Sequence, residues 1–303
     1  MNGLFSRKAG RRGRKRGFVT SVMPNPWQDS THAEAAWDRS RNASTRWGVF
    51  GALLGLLIGL VAFAPAQWLA QAVASATNQR VLLTDARGTV WSGSAVLVLT
   101  GGQGSRDASA LPGRIDWTLG LQGTALAVQA RHACCLNGTA RLLVRPGFGR
   151  HSVTVLPQPG WIGQWPSALL SGLGTPWNTL QLGGDLRLLS PGLTLEWVQG
   201  RMILDGRADI ELSQASSRLS TLGSLGSYRM SISGSAARPS EPPQLTLITT
   251  EGALRLTGSG TLTPQGVRFR GEATAAPDDT PALNNLLNII GRRDGARSVI
   301  SIG

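Results

Sequence analysis

Beyond Gln79 the chain alternates apolar and polar residues with a period of two. That is the mark of strands with one dry face and one wet face. In Arg201–Leu212 the residues Met202, Leu204, Gly206, Ala208, Ile210 and Leu212 point one way. Arg201, Asp205, Arg207, Asp209 and Glu211 point the other, with only Ile203 out of place. Ala253–Thr263 repeats the scheme and is followed by a turn at Pro264-Gln265-Gly266. Val267, Phe269, Gly271 and Ala273 then alternate with Arg268, Arg270 and Glu272, which reads as a hairpin. Trp91–Leu99, Arg114–Leu121, Leu180–Leu188 and Tyr228–Ala236 alternate in the same way, and Ser298–Ile302 is the last strand. Roughly eight to eleven strands are expected, and their short connections make them antiparallel, since parallel crossovers need a dozen or more residues.

Glycine accounts for 39 of 303 residues and falls on several dry faces, at Gly93, Gly206, Gly258 and Gly260. Mid-strand glycine marks a bulge, a bend or a close backbone approach. A strongly bent antiparallel sheet or meander follows, with a thin, loosely packed sandwich as the alternative. One short C-terminal helix is expected from Leu283, Leu286, Leu287 and Ile290, with Thr280 as N-cap, Pro281 in the first turn and Gly291 as the stop. The Pro/Trp/Gly stretch around 157–178 either separates two halves or loops over one sheet. Its Trp161, Trp165 and Trp177 form either a docking surface or a shielded corner.

Ahead of the strands, residues 48–66 form a run of nineteen without a charge. A bilayer core of ~30 Å needs roughly 20 apolar residues, so this run predicts a transmembrane helix. The run has no polar face, unlike a soluble core helix. Trp47 and Trp68 flank it as interfacial aromatics, and Arg39, Arg41 and Arg46 precede it. The positive-inside rule then places the N-terminus in the cytoplasm and the bulk of the chain in the periplasm. The domain reading is a basic, disordered cytoplasmic tail (1–46), an anchor (47–68) and a periplasmic antiparallel β domain (69–303). Ala64-Pro65-Ala66 resembles a signal-peptidase site, so a cleaved leader is the competing reading, against which stands the length of the apolar run. Met23 could itself open the anchor, and the Arg/Lys/Gly tract before it carries no functional signal.

The net charge of +13 raises nucleic acid as a partner. Seven of those charges lie in residues 1–47, and beyond residue 15 no lysine occurs. The later arginines interleave with acids, and aromatic residues for base stacking are scarce on the wet faces. Nucleic acid is therefore excluded. Nucleophile-elbow, P-loop and dinucleotide fingerprints are absent. His132 and His151 lack metal-ligand spacing, and Asp205 and Asp209 sit on a solvated strand face. No catalytic residue, metal or cofactor is expected, and the chain reads as no enzyme. Cys134 and Cys135 are adjacent, and three states are open: a vicinal disulfide, two buried thiols, or a bond to a partner.

Gly88-Thr89-Val90-Trp91-Ser92-Gly93, about twenty residues after the apolar run, resembles the GTxWxG element of the type II secretion system protein N family (general secretion pathway protein N). Trp117, in Asp116-Trp117-Thr118-Leu119, is similar to that family's Trp-x-Leu strand, and 286–291 with Asp294-Gly295 is similar to its ending. The resemblance covers about residues 45–303; the basic tail and the Cys-Cys pair fall outside the family pattern. It implies a non-catalytic inner-membrane accessory of type II secretion, which exports folded proteins from periplasm across the outer membrane. Its partners would be other secretion subunits, with membrane lipid met through the anchor. A bent, glycine-bearing sheet also resembles the β-grooves of AsmA-like envelope proteins, which implies a lipid ligand as the alternative.

Overall fold

The computed structural model describes residues 47–263 and 265–303. The basic tail read as cytoplasmic (1–46, Arg46 included) and the turn residue Pro264 lie outside the described residues. The chain divides into two compact units, Met1–Leu60 and Val61–Gly303.

Helix α1 covers residues 47–62. Its apolar side chains are exposed all around, from Trp47 through Leu53, Leu56, Leu57 and Leu60 to Phe63 just beyond its end. Sixteen helical residues rise about 24 Å. Among the described residues no helix is long and apolar enough to cross a membrane. The apolar run therefore does not form one helix to Ala66. Pro65 lacks an N–H and disfavours helical backbone in the residue before it, so the helix ends ahead of it. Helix α2 (Ala66–Ala76) starts after the break and carries Trp68, half exposed.

The second unit contains one antiparallel sheet of sixteen strands, more than the alternation predicted. In chain order these are β1 (Val81–Gly88), β2 (Ser92–Thr100), β3 (Ala108–Ala110), β4 (Ile115–Gln122), β5 (Ala125–His132), β6 (Thr139–Arg145) and β7 (Arg150–Val155). Then come β8 (Gly163–Pro166), β9 (Leu182–Val198), β10 (Arg201–Ser217), β11 (Gly226–Gly234), β12 (Gln244–Glu251) and β13 (Leu254–Thr263). The last three are β14 (Gly266–Ala275), β15 (Arg292–Asp294) and β16 (Arg297–Ile302). Short strands such as β3, β8 and β15 escape a period-two reading because three or four residues do not establish a period.

Neighbours in sequence are mostly neighbours in the sheet, so the topology is a meander. Two strands serve as splints. The long β9 pairs β7 through Leu193–Val198 and β8 through Asp185–Leu188, so β7 and β8 lie end to end along one edge. β2 holds β4 and β3 in the same manner. The ladder therefore runs from β7 to β9 past the 157–178 stretch, whose residues form β8, the 3-10 turn Ser167–Leu173 and the single-turn α3 (Trp177–Leu180). Five register shifts interrupt the pairings, at Thr84/Arg87, Leu212/Ala215, Arg207/Asp209, Ser213/Ser216 and Ser227/Tyr228. Such bulges increase local twist and bend the strand that carries them. Gly206 adjoins one of them with φ +100, a conformation closed to most side chains.

Three small caps cover parts of the apolar face. Helix α4 (Thr280–Ile290) buries Leu283, Leu286 and Leu287 against Leu225, Tyr228, Leu254 and Ala273. Each such leucine contributes about 1.5–3 kcal/mol by leaving water. Thr280 lies inside this helix instead of capping it, its hydroxyl donating to the Ala276 and Pro277 carbonyls at 3.3 Å. Gly291 ends the helix as expected. At the other end of the sheet Ala66 and Leu69 of α2 meet Leu83, Ala95 and Trp117. Between them Leu169 of the 3-10 turn packs with Leu111 and Cys135.

Candidate functional site

The turn from β1 to β2 is built by Gly88-Thr89-Val90-Trp91-Ser92-Gly93. Thr89 closes it: its amide donates to the Ser92 carbonyl at 2.9 Å, and its hydroxyl accepts from the Ser92 amide at 3.1 Å. The turn also grips the segment Val61–Pro65. The Val90 amide donates to the Ala64 carbonyl at 2.8 Å, Pro65 bridges Thr89, and Trp91 Nε1 donates to the Val61 carbonyl at 2.8 Å. From below, buried Trp117 donates through Nε1 to the Val90 carbonyl at 3.0 Å. Leu119 donates its amide to the Trp91 carbonyl at 2.7 Å, continuing the ladder into β4.

Gly93 is where Trp117 passes closest. A Cβ there would stand 2.6 Å from Trp117 Cζ2 and 2.6 Å from the Arg87 carbonyl. Trp91 of the turn, Trp117 of β4 and Gly93 thus share one construction: the Trp117 indole supports the turn and the Trp91 indole holds the incoming chain. The family resemblance marked these residues, but not which indole reaches which carbonyl.

The bulge in β1 is clamped beside this turn. Asp85 has φ 50, and Arg114 Nη1 donates to its Oδ2 at 2.6 Å while Nη2 donates to its carbonyl at 2.6 Å. Arg114 Nε also donates to Ser94 Oγ at 3.1 Å, tying β1 and β2 together. Arg114 first, and then Arg87, hold the exposed Asp85 carboxyl below its ordinary value.

The cysteine pair lies in the β5–β6 turn. Cys134 and Cys135 are bonded to each other; Cys134 is exposed and Cys135 buried. His132, buried at the end of β5, faces them, with Nδ1 3.2 Å from Cys134 Sγ. Its burial lowers the imidazole pKa from the ordinary value, partly opposed by the charge of Asp116. His132 has no metal-ligand spacing in the sequence, yet the strand and turn bring its ring to the sulfurs. The other histidine, His151, stacks on Trp197 with ring centroids 5.3 Å apart. Asp205 accepts from the Ala236 amide, while Asp209 pairs with Arg207 at 2.9 Å.

Of the tryptophans in the 157–178 stretch, Trp161 and Trp165 are half-buried and Trp177 borders on exposed. Trp165 packs with the cluster around Leu111 and Leu169, as a corner would. Two surface cavities, each about 410 Å³, lie elsewhere: one beside Leu121, Val128 and Leu142, the other beside Arg145, Arg150 and Glu196.

No curated protein and no solved structure matches the chain in the corresponding comparisons. The model of one family, "Type II secretion system (T2SS), protein N", matches residues 79–300, a span that runs from just ahead of β1 into β16 and contains the turn, Trp117 and α4. The chain belongs to the type II secretion system protein N family.

Proposed function

We propose that this chain is a non-catalytic, inner-membrane accessory of the type II secretion system that works through protein–protein contacts in the periplasm. Membership of the family implies an accessory role in type II secretion, a Gram-negative envelope location and other secretion subunits as partners. The finer reading rests on one observation: α1 exposes apolar side chains on every face, and the chain leaving it is gripped by the family-motif turn of an open sheet. A helix apolar all round is the form a membrane segment takes. Anchored at residues 47–68, with Trp47 and Trp68 at the interfaces, it meets lipid directly. A hydrophobic stretch shorter than the bilayer is accommodated by thinning or by snorkelling flanks.

The bent sheet then offers strand edges for augmentation by a partner strand. Ile300–Ile302 of β16 has β14 on one side and no strand on the other among the described residues, because β15 pairs only Arg297–Val299. Main-chain donors there are free to add a strand. The lipid-groove alternative has no observation in its favour.

Photo-crosslinking from position Ser301 of the full-length protein in secreting cells tests this reading. Crosslinks to other secretion subunits are expected. Loss of secretion on deletion, without such crosslinks from any sheet edge, would remove the contact mechanism. A C-terminal reporter active only in the cytoplasm would remove the topology.

A further inference from the structure

The β5–β6 turn places one imidazole nitrogen and two sulfurs together: donor atoms of His132, Cys134 and Cys135 all lie within 4.8 Å of one another. We propose that, once its disulfide is reduced, this turn is a copper(I) site with His132 Nδ1 and the two cysteine sulfurs as ligands.

The direction of the imidazole carries the first part of the inference. The Cys134 amide points at His132 Nδ1 at 3.4 Å, so Nδ1 is the acceptor nitrogen and its lone pair faces the cysteine turn. Cys134 Sγ is 3.2 Å from the same nitrogen. Nε2 then carries the hydrogen, and it is buried with no hydrogen-bond partner. The Cys134 amide is the donor at that nitrogen, and an ion bound there would take its place.

Rigidity carries the second part. Cys135 is buried against Leu111 and Leu169, and its carbonyl accepts from the Gln164 amide at 3.0 Å. The Asn137 amide donates to the Ile162 carbonyl at 3.0 Å, and Asn137 Nδ2 donates to the Trp161 carbonyl at 3.0 Å. The strap from Trp161 to Gln164 thus holds the turn from one side. On the other side the Pro112 carbonyl lies 3.6 Å from Cys134 Sγ. These contacts hold the backbone of the turn in place, so that on reduction the two sulfurs separate around an ion without the turn having to refold.

The donor chemistry selects the ion. Two thiolates and one imidazole form a soft set, which suits copper(I) and zinc. Zinc takes a fourth ligand beyond these three, a protein side chain in structural sites or a water in open ones, whereas three donors by themselves complete a trigonal copper(I) site. Cys134 is exposed, so an ion has a path in.

The chemistry balances in two steps. A dithiol reductant is oxidised to its own disulfide, and the Cys134–Cys135 bond takes up the two electrons and two protons to give two thiols. Copper(I) then displaces both thiol protons and binds the two thiolates and Nδ1, without change of oxidation state.

The test uses the full-length protein in detergent, reduced, freed of reductant and held without oxygen. Copper(I) is then titrated against a chromophoric copper(I) chelator. One tightly held copper per chain is expected for the reduced protein, and none for the oxidised protein. X-ray absorption should show two sulfurs and one nitrogen. His132→Gln should lose the nitrogen and weaken the retention of copper against the chelator. Cys134→Ser, a change at an exposed side chain, should abolish binding while the β-sheet circular dichroism stays unchanged. Equal retention by wild type and Cys134→Ser, no retention by the reduced protein, or a sulfur-only coordination shell would each overturn the proposal.

Discussion

Trp91 Nε1 donates to the carbonyl of Val61, thirty residues earlier, at 2.8 Å. The bond joins the middle of the Gly88–Gly93 turn to the segment that enters the sheet. Replacing the indole by phenyl keeps an aromatic ring and removes the donor. Trp91→Phe should cost about 0.5–1.5 kcal/mol of stability, the usual net value of one hydrogen bond. Hydrogen exchange should accelerate at Val90, whose amide bonds Ala64, before it does so in the α4 core. Unchanged exchange at Val90 would mean that Trp91 does not hold this segment.

Gly93 has no room for a methyl group, since both a tryptophan ring carbon and a carbonyl oxygen would lie 2.6 Å from it. Gly93→Ala should force Trp117 or the turn to move and destabilise the protein by about 1–3 kcal/mol. Ala at Gly120 would meet nothing within 4 Å and serves as the control. Urea denaturation of the two variants compares them directly.

Stability should fall in acid through Asp85. Its carboxyl is held below the ordinary 3.8 by Arg114 and Arg87, so the folded state favours the charged form. That contribution is fully present above the ordinary value and disappears as the pH falls through the lower folded value. Asp85→Asn should be less stable than wild type near neutrality, and the gap should close in strong acid. A gap independent of pH would point to lost packing instead of lost charge.

The three buried leucines of α4 are fixed by the sheet beneath them. Leu287→Ala, at a side chain with no exposed surface, should cost about 2–5 kcal/mol. Ile289→Ala, on the exposed side of the same helix, should stay within about 0.5 kcal/mol of wild type. Thermal melts of both variants separate a core role for α4 from simple helix propensity.

Much of the fold was legible in the residues. Arg201–Leu212 is strand throughout, within the longer β10, although Ile210, expected on the dry face, is exposed just beyond the register shift at Arg207/Asp209. Leu283, Leu286 and Leu287 sit at helical spacing and form the buried side of α4. Other elements were not legible for definite reasons. β8 has four residues, and its place is set by a splint strand that begins nineteen residues after it does. The apolar run promised one helix to Ala66, but hydropathy does not register the missing N–H of Pro65, whereas the backbone does. The residues of the GTVWSG turn were marked by resemblance, while their grip on Val61–Pro65 depends on contacts no local pattern encodes.

Alternation, the charge-free run and the lack of a catalytic fingerprint followed from the chain itself, because residues at i and i+2 on a strand face the same solvent whatever the rest of the protein does. Tertiary structure alone decided which indole reaches which carbonyl, which elements cover the apolar face and that His132 meets two sulfurs. Those outcomes depend on closing loops of many residues and on competing burials, so they exist only once distant strands have paired.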